Sequence, residues 1–312
     1  MLKRVQPPEW KDRVMSSTKP AEKTVLVVQG GGALGAYQAG AYEQLVQTGH
    51  EPGWVAGISI GAINAALICG NAPHHRVGRL RQFWERVSSS LMVAPWFRGA
   101  WSRTIFNEMA AEAIVLGGAP GFFKPKLIAS PFGGSASSQV PGLYDTSPLR
   151  DTLEELVDFD YLNEKGPRLS IGAVEIATGN FVYFDSDTMR IDPDHIMASG
   201  ALPPGFPAIH IDGKDYWDGG LVSNTPLQYV FDHTGDDPLC VFQIDLFSAR
   251  GKAPRNLIDV GQREKDIRYS SRTRLTTDRY VQLHGLRAAA DRLAAKLPKD
   301  LRDDPDLKAL QA

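Results

Sequence analysis

Three short stretches of the sequence carry residue types suited to acyl chemistry. Gly57-Ile58-Ser59-Ile60-Gly61 fits the pattern G-x-S-x-G. Glycines two before and two after a serine permit a sharp strand-to-helix turn. Such a turn lifts the hydroxyl clear of a sheet and sets it at a helix N-terminus, where the dipole favours developing negative charge. Ser59 is therefore a candidate nucleophile, although the same position also suits a plain helix cap. Gly30-Gly31-Gly32-Ala33-Leu34-Gly35 places three successive glycines after an apolar run. The N–H groups of Gly30, Gly31 and Gly32 make a nest for a phosphate or an oxyanion. The third stretch is Tyr216-Trp217-Asp218-Gly219-Gly220. Asp218 ends a short strand and precedes two glycines that let the backbone bend toward a neighbouring loop. It is a candidate base, and Asp-Gly is equally an ordinary turn signal.

Two other assignments compete for these residues. Gly30, Gly32 and Gly35 match the dinucleotide fingerprint G-x-G-x-x-G, which wants an acidic residue ending the next strand. Here that strand ends at Ser59 and Glu51 lies before it, so the ribose partner is missing. A Ser–His–Asp esterase needs a histidine after the serine. His74, His75, His195, His210, His233 and His284 follow it, and none sits directly after a strong parallel strand. His195 and His210 come nearest; His195 falls within an expected helix, where a packing histidine is the simpler account.

The elements that position these residues follow from hydrophobic pattern. Thr24–Val28 is a continuous β-branched run, as in a buried parallel strand. A helix is expected from Gly35 to Gln47, a second strand over Trp54–Gly57, and a small-residue helix over Ala62–Ile68. Two strand–turn–helix units in succession indicate an α/β fold with a parallel sheet. Arg76–Val87 has helical spacing. Ser147 opens a helix to Val157 as its cap, and Asp194–Ala201 is a short helix. Strands are expected over Leu169–Ala177, Phe181–Phe184 and Leu239–Phe247. Ala208–Ile211 and Asp215–Trp217 flank a hairpin turn at Asp212-Gly213-Lys214. Asn256–Leu297 reads as helix, with a basic run from Arg263 to Arg292 interrupted by Asp266, Asp278 and Asp291, as on a solvated face. The Gly/Pro/Ser-rich stretch Gly117–Gly142, carrying Phe122, Phe123 and Phe132, is expected to be a mobile loop over or beside the Ser59 pocket.

The chain has 312 residues, 43% hydrophobic and 22% charged, with a formal net charge of −2. That composition supports a large core and gives no basis for disorder or for nucleic-acid binding. Two distant cysteines, Cys69 and Cys240, make neither a disulfide framework nor a metal knuckle. No apolar stretch is long enough to span a bilayer, and the N-terminal residues do not form a secretory signal.

Taken together, the glycine-rich loop after the first strand, G-x-S-x-G at Ser59 and the late Asp218-Gly219-Gly220 resemble the patatin-like phospholipase family from about Thr24 to about Phe247. Ala198–Pro207 and Ser223-Asn224-Thr225-Pro226 are similar to the family's segments around the aspartate. Glu264–Arg274 resembles an accessory C-terminal segment of a bacterial subset. The resemblance implies a three-layer α/β/α fold with a mostly parallel sheet and a helical C-terminal extension. With the polar, proline-containing N-terminal segment read as a mobile arm (1–23), the chain divides into that arm, a catalytic domain (24–247) and the extension (248–312). The resemblance also implies a lipid acyl hydrolase with Ser59 as nucleophile and Asp218 as base in a Ser–Asp dyad without histidine, and an acyl-enzyme. The oxyanion falls to the glycine loop, Gly30 to Gly32, and above all to the N–H groups of Gly31 and Gly32. No metal or organic cofactor is implied. The expected partner is a lipid or ester substrate, with peripheral membrane contact, no nucleic acid and a cytoplasmic location. One departure is Leu34, where the family usually has Lys or Arg; it makes the rim apolar and leaves neutral esters open alongside phospholipids. The alternative from another class is a non-catalytic lipid- or partner-binding module on the same fold.

Overall fold

The computed structural model describes residues 22–89, 118–126, 140–234, 238–298 and 304–307. The chain order is β1 (Lys23–Val28), α1 (Gly35–Gln47), β2 (Trp54–Ile58), α2 (Ile60–Cys69), α3 (Pro73–Ser88), β3 (Lys124–Pro125), β4 (Tyr144–Asp145), α4 (Ser147–Leu156), α5 (Phe159–Glu164), β5 (Arg168–Glu175), β6 (Phe181–Asp185), α6 (Pro193–Ser199), β7 (Ile209–Ile211), β8 (Lys214–Asp218), α7 (Leu227–Asp232), β9 (Leu239–Ile244) and α8 (Leu257–Ala294).

Strands β5, β2, β1 and β9 run parallel, and β6, β7 and β8 add antiparallel pairs. The β-branched run of β1 is buried on both faces, as its unbroken apolar sequence requires. Leu26 and Val28 point into a large core shared with α2, α3, α4 and α6. Val25 and Val27 point the other way, into a smaller core with Trp54, Ala56, Leu227 and Val230. The result is a three-layer α/β/α arrangement with helices on both sheet faces. All ten residues of α2 are buried. Its small side chains let it lie flat on β2 and β5, with α1 and α3 packed over it.

The topology of β5 explains how residues distant in sequence meet. One edge of β5 carries β6. The other is divided: β2 occupies it as far as Gly172, opposite Ile58, and β8 takes over at Ala173, opposite Asp218. Because β2 is parallel and β8 antiparallel to β5, their C-terminal ends face each other. Ser59 follows the one end and Asp218 closes the other.

Local chemistry accounts for most element ends. The β7–β8 turn has positive φ at both Asp212 (48°) and Gly213 (81°), the two-residue form that Asp-Gly favours. The cap of α4 differs from expectation: Ser147 makes no side-chain cap, and Asp145 Oδ1 accepts the Ser147 N–H at 2.8 Å. Strand β9 stops at Ile244, short of Phe247, because the N–H groups of Leu246 and Phe247 turn to the Gln29 side chain.

Of the expected covering loop, 118–126 and 140–142 are described; Phe122 and Phe123 pack with Phe206, and Phe123 also packs with Tyr144. None of these residues lines the Ser59 cavity. Residues 127–139, with Phe132, lie outside the described residues, as do 1–21, most of the segment after 298, and Trp96, Phe97, Trp101 and Phe106.

Candidate active site

Ser59 is the N-terminal flanking residue of α2, yet its side chain makes no cap hydrogen bond. Its backbone is left-handed, with φ 57° and ψ −124°. A non-glycine residue in that region stores roughly 1–3 kcal/mol of strain and persists only where its surroundings enforce it. Here they do. A Cβ at Gly57 would lie 2.5 Å from the Gly61 carbonyl oxygen, and one at Gly61 would lie 2.4 Å from that of Val28. The strand, turn and helix thus touch backbone to backbone, and the strained residue between them presents its hydroxyl at the sheet end. The Ser59 N–H donates to Ser199 Oγ at 3.0 Å, and Ser199 donates onward to the Gly172 carbonyl at 2.7 Å.

Asp218 is 2% exposed. Its carboxylate faces the Ser59 hydroxyl and accepts the Gly220 N–H at 2.7 Å. The turn reading of Asp218 and its proximity to Ser59 therefore hold together. Burial pushes its pKa up to about 6, against the lowering effect of the nearby Ser59 hydroxyl and of the hydrogen bond from the Gly220 N–H. The two side chains share a cavity of about 360 Å³ with Gly30, Gly31, Gly32, Leu34, Leu202, Gly220, Asn224 and Phe247. Gln262, Lys265 and Tyr269 of α8 complete its lining.

The glycine loop is held by paired polar groups. Gly30 donates its N–H to the Asn224 carbonyl (3.1 Å) and accepts Asn224 Nδ2 (2.9 Å). Gly30 therefore has no N–H left for an oxyanion, which corrects its place among the expected donors. The N–H groups of Gly31 and Gly32 have no acceptor among the described residues. Both residues line the cavity that holds Ser59.

A family model described as patatin-like phospholipase matches residues 26–231. The chain belongs to the patatin-like phospholipase family. A second model, described as patatin phospholipase, matches residues 267–312. No curated protein matches the chain. The crystal structure of VipD from Legionella pneumophila is similar at 15% identity and a TM-score of 0.41, over 72% of this chain and 50% of that one. This patatin-like chain thus spans about half the length of that protein.

No histidine among the described side chains lines the cavity of this patatin-like site. His195 is buried in α6, where its Nδ1 pairs with Asp192 at 2.7 Å in a capping box and its ring packs edge-on against Phe184. His210 pairs with Asp215 at 2.8 Å, and His233 stacks on Tyr229. Among the described residues no group of three His, Cys, Asp or Glu side chains is placed to hold a metal, and no helix is long and apolar enough to cross a membrane. Cys69 is buried, and burial pushes its thiol up to about 12, so it remains an inert core group.

Sequence reading missed the polar groups that hold the loop in place. Gln29 is fully buried; its Oε1 accepts Leu246 and Phe247, and its Nε2 donates to Thr225 Oγ1 and the Tyr269 carbonyl. Gln38 donates to the Gln29 carbonyl at 2.6 Å, Asn64 donates to Gly35 and Gln38, and Trp84 donates to Asn64. An amide inside the apolar α2, and another directly after β1, were the available signals. Buried amides persist only when satisfied, and both occupy positions that pattern alone marks as core.

Proposed function

We propose that this chain hydrolyses carboxylic esters of lipids, phospholipids or neutral glycerides, through a Ser59–Asp218 dyad and an acyl-enzyme. The observation that carries this reading is a buried carboxylate of raised basicity facing a strained serine hydroxyl, in a cavity that Gly31 and Gly32 also line. In the proposed sequence Ser59 Oγ attacks the ester carbonyl and Asp218 takes its proton. The N–H groups of Gly31 and Gly32 donate to the oxyanion; one such donor is typically worth about 3–4 kcal/mol. Collapse expels the alcohol, which receives the proton from Asp218, and leaves Ser59 acylated. Asp218 then deprotonates water as it attacks the acyl carbon; collapse breaks the bond to Ser59 Oγ, which takes the proton back from Asp218, and the fatty acid leaves.

Leu34, Leu202 and Phe247 give the cavity an apolar wall for the acyl chain. Leu34 and Leu202 are also exposed, as are Tyr37 and Leu221 nearby in the chain. That apolar rim supports contact with a lipid surface. The functional unit in this reading is residues 24–247 together with the part of α8 that lines the cavity.

A fluorophosphonate probe should label Ser59, and mass spectrometry of the modified peptide checks it; an unlabelled Ser59 in folded protein would count against the mechanism. The pH profile supplies a second check. Asp218 must be ionised to act as base, and its pKa is raised to about 6. The value of kcat/KM should therefore rise roughly tenfold per pH unit below that point and level off above it. A profile flat from pH 5 to 7 would exclude Asp218 as the base.

Leu34 is 46% exposed at the rim, so a longer side chain fits there without disturbing the core. Leu34→Arg should raise activity on anionic phospholipid relative to neutral diglyceride by about threefold, within the range of exposed charge pairs. Paired assays on matched vesicles measure this ratio, and an unchanged ratio would remove position 34 from headgroup selection.

A further inference from the structure

Helix α8 brings a cation to the Ser59 cavity. Gln262, Lys265 and Tyr269 fall on one face of the helix, one and two turns apart, and all three line the cavity. The helix register is fixed on both sides of Lys265. Before it, the Arg263 guanidinium donates to the carbonyls of Ser248 (3.0 Å) and Ala249 (2.6 Å). After it, Gln29 Nε2 donates to the Tyr269 carbonyl (3.2 Å), and the Tyr269 ring packs on Phe247 with centroids 5.0 Å apart. Lys265 therefore sits between two anchors that tie α8 to the loops around the serine.

Neighbouring charges on this stretch of α8 are committed elsewhere. Glu264 pairs with Arg268, and Asp266 accepts Gln262 Nε2 at 2.9 Å. Lys265 has no carboxylate partner among the described residues. Asp218 is the acid that lines the same cavity, and it forms no ion pair with Lys265 among the described residues. The ammonium therefore borders the space in which a substrate would lie. Leu34, Leu202 and Phe247 line the same space, and apolar surface beside a cation strengthens its attraction for an anion.

We infer that Lys265 binds an anionic group, a phosphate or a carboxylate, carried by the substrate on the alcohol side of the scissile ester. It thereby selects anionic acyl esters over neutral ones. This rests on the hydrolase reading above and names the substrate class of the same site. A lysine ammonium is a flexible point charge without the planar fork of arginine, so either anion satisfies it. Because the contact forms in the ground state and persists in the transition state, its removal raises KM and spares kcat.

The test uses substrates that are monomeric in water, so that recruitment to a bilayer does not enter. Dibutyrylphosphatidate is compared with dibutyrylglycerol, and O-butyrylglycolate with its methyl ester; the two pairs separate phosphate from carboxylate recognition. Lys265→Gln should lower the anionic-to-neutral ratio of kcat/KM about tenfold in at least one pair, equivalent to about 1.4 kcal/mol, through KM. Lys265→Glu should lower it further, and Lys265→Arg should restore it to within about threefold. Arg292→Gln removes the same charge roughly 40 Å further along α8, at about 1.5 Å per residue, and should leave both ratios as they are. Ratios unchanged in Lys265→Gln and Lys265→Glu, with Ser59 still labelled by fluorophosphonate, would overturn the inference and leave the hydrolase standing. Calorimetry with both anionic esters on Ser59→Ala, with and without Lys265→Gln, decides the point independently of turnover. A Kd weakened about tenfold for at least one ester supports the assignment, and equal Kd values for both overturn it.

Discussion

Ser59→Ala and Asp218→Asn are each expected to lower kcat/KM on a lipid ester by at least about a thousandfold while leaving the protein folded. The two side chains face each other across the junction of β2 and β8, and each is useless to the proposed chemistry without the other. The double variant should therefore be little worse than either single one. Multiplicative losses, measured in the same assay, would show that the two residues act independently. The aspartate variant should also differ from the serine variant in stability. A carboxyl whose pKa is higher folded than unfolded binds its proton more tightly in the folded state. Asp218, raised from 3.8 to about 6, thus costs stability progressively as pH rises through that window, and the full cost remains above it. Two pKa units correspond to about 3 kcal/mol. Asp218→Asn removes that charge, so it should be the more urea-resistant protein at pH 8 and show much less advantage at pH 4. Equal unfolding midpoints at pH 8 would mean that the carboxylate is better solvated than its burial indicates.

Gly61→Ala is expected to disable the site without touching a catalytic group. The added methyl would sit 2.4 Å from the Val28 carbonyl oxygen, a backbone atom inside the sheet that cannot rotate aside. Relief requires α2 to move away from β1, and Ser59, fixed at the start of α2, moves with it. Forcing a methyl into a closed backbone contact costs about 1–3 kcal/mol or more. Urea unfolding should show that loss, and Ser59 labelling should fall by at least about tenfold, since even a 1 Å misplacement can cost a hundredfold. Gly40→Ala is the matched comparison. Gly40 is exposed on α1 with nothing within 4 Å of its added Cβ, so alanine there should stabilise by about 0.5–1 kcal/mol through helix propensity alone. Similar behaviour of the two variants would show that the contact at Gly61 relaxes without cost.

What was legible in the sequence were features set by a few consecutive residues. The turn at Ser59 follows from Gly57, whose backbone meets that of Gly61 within the turn itself; that Gly61 also lies against Val28 of β1 is a tertiary fact. The Asp212-Gly213 hairpin follows from two positive φ angles that these residues tolerate. The parallel strands follow from unbroken apolar runs that must be covered on both faces. Together these gave the fold class. Asp218 was recognised by its glycines and by family resemblance. Its basicity, however, comes from burial, and its meeting with Ser59 comes from one edge of β5 passing from β2 to β8 between Gly172 and Ala173. No local pattern records either fact. The commitment of the Gly30 N–H to Asn224 was hidden for the same reason, since its partner stands 194 residues away. Lys265 is the clearest case. In sequence it belongs to an interleaved run of charges that reads as a solvated helix face. Only the anchors at Arg263 and Tyr269 decide which side of α8 meets the cavity, and they join segments that no helical period connects.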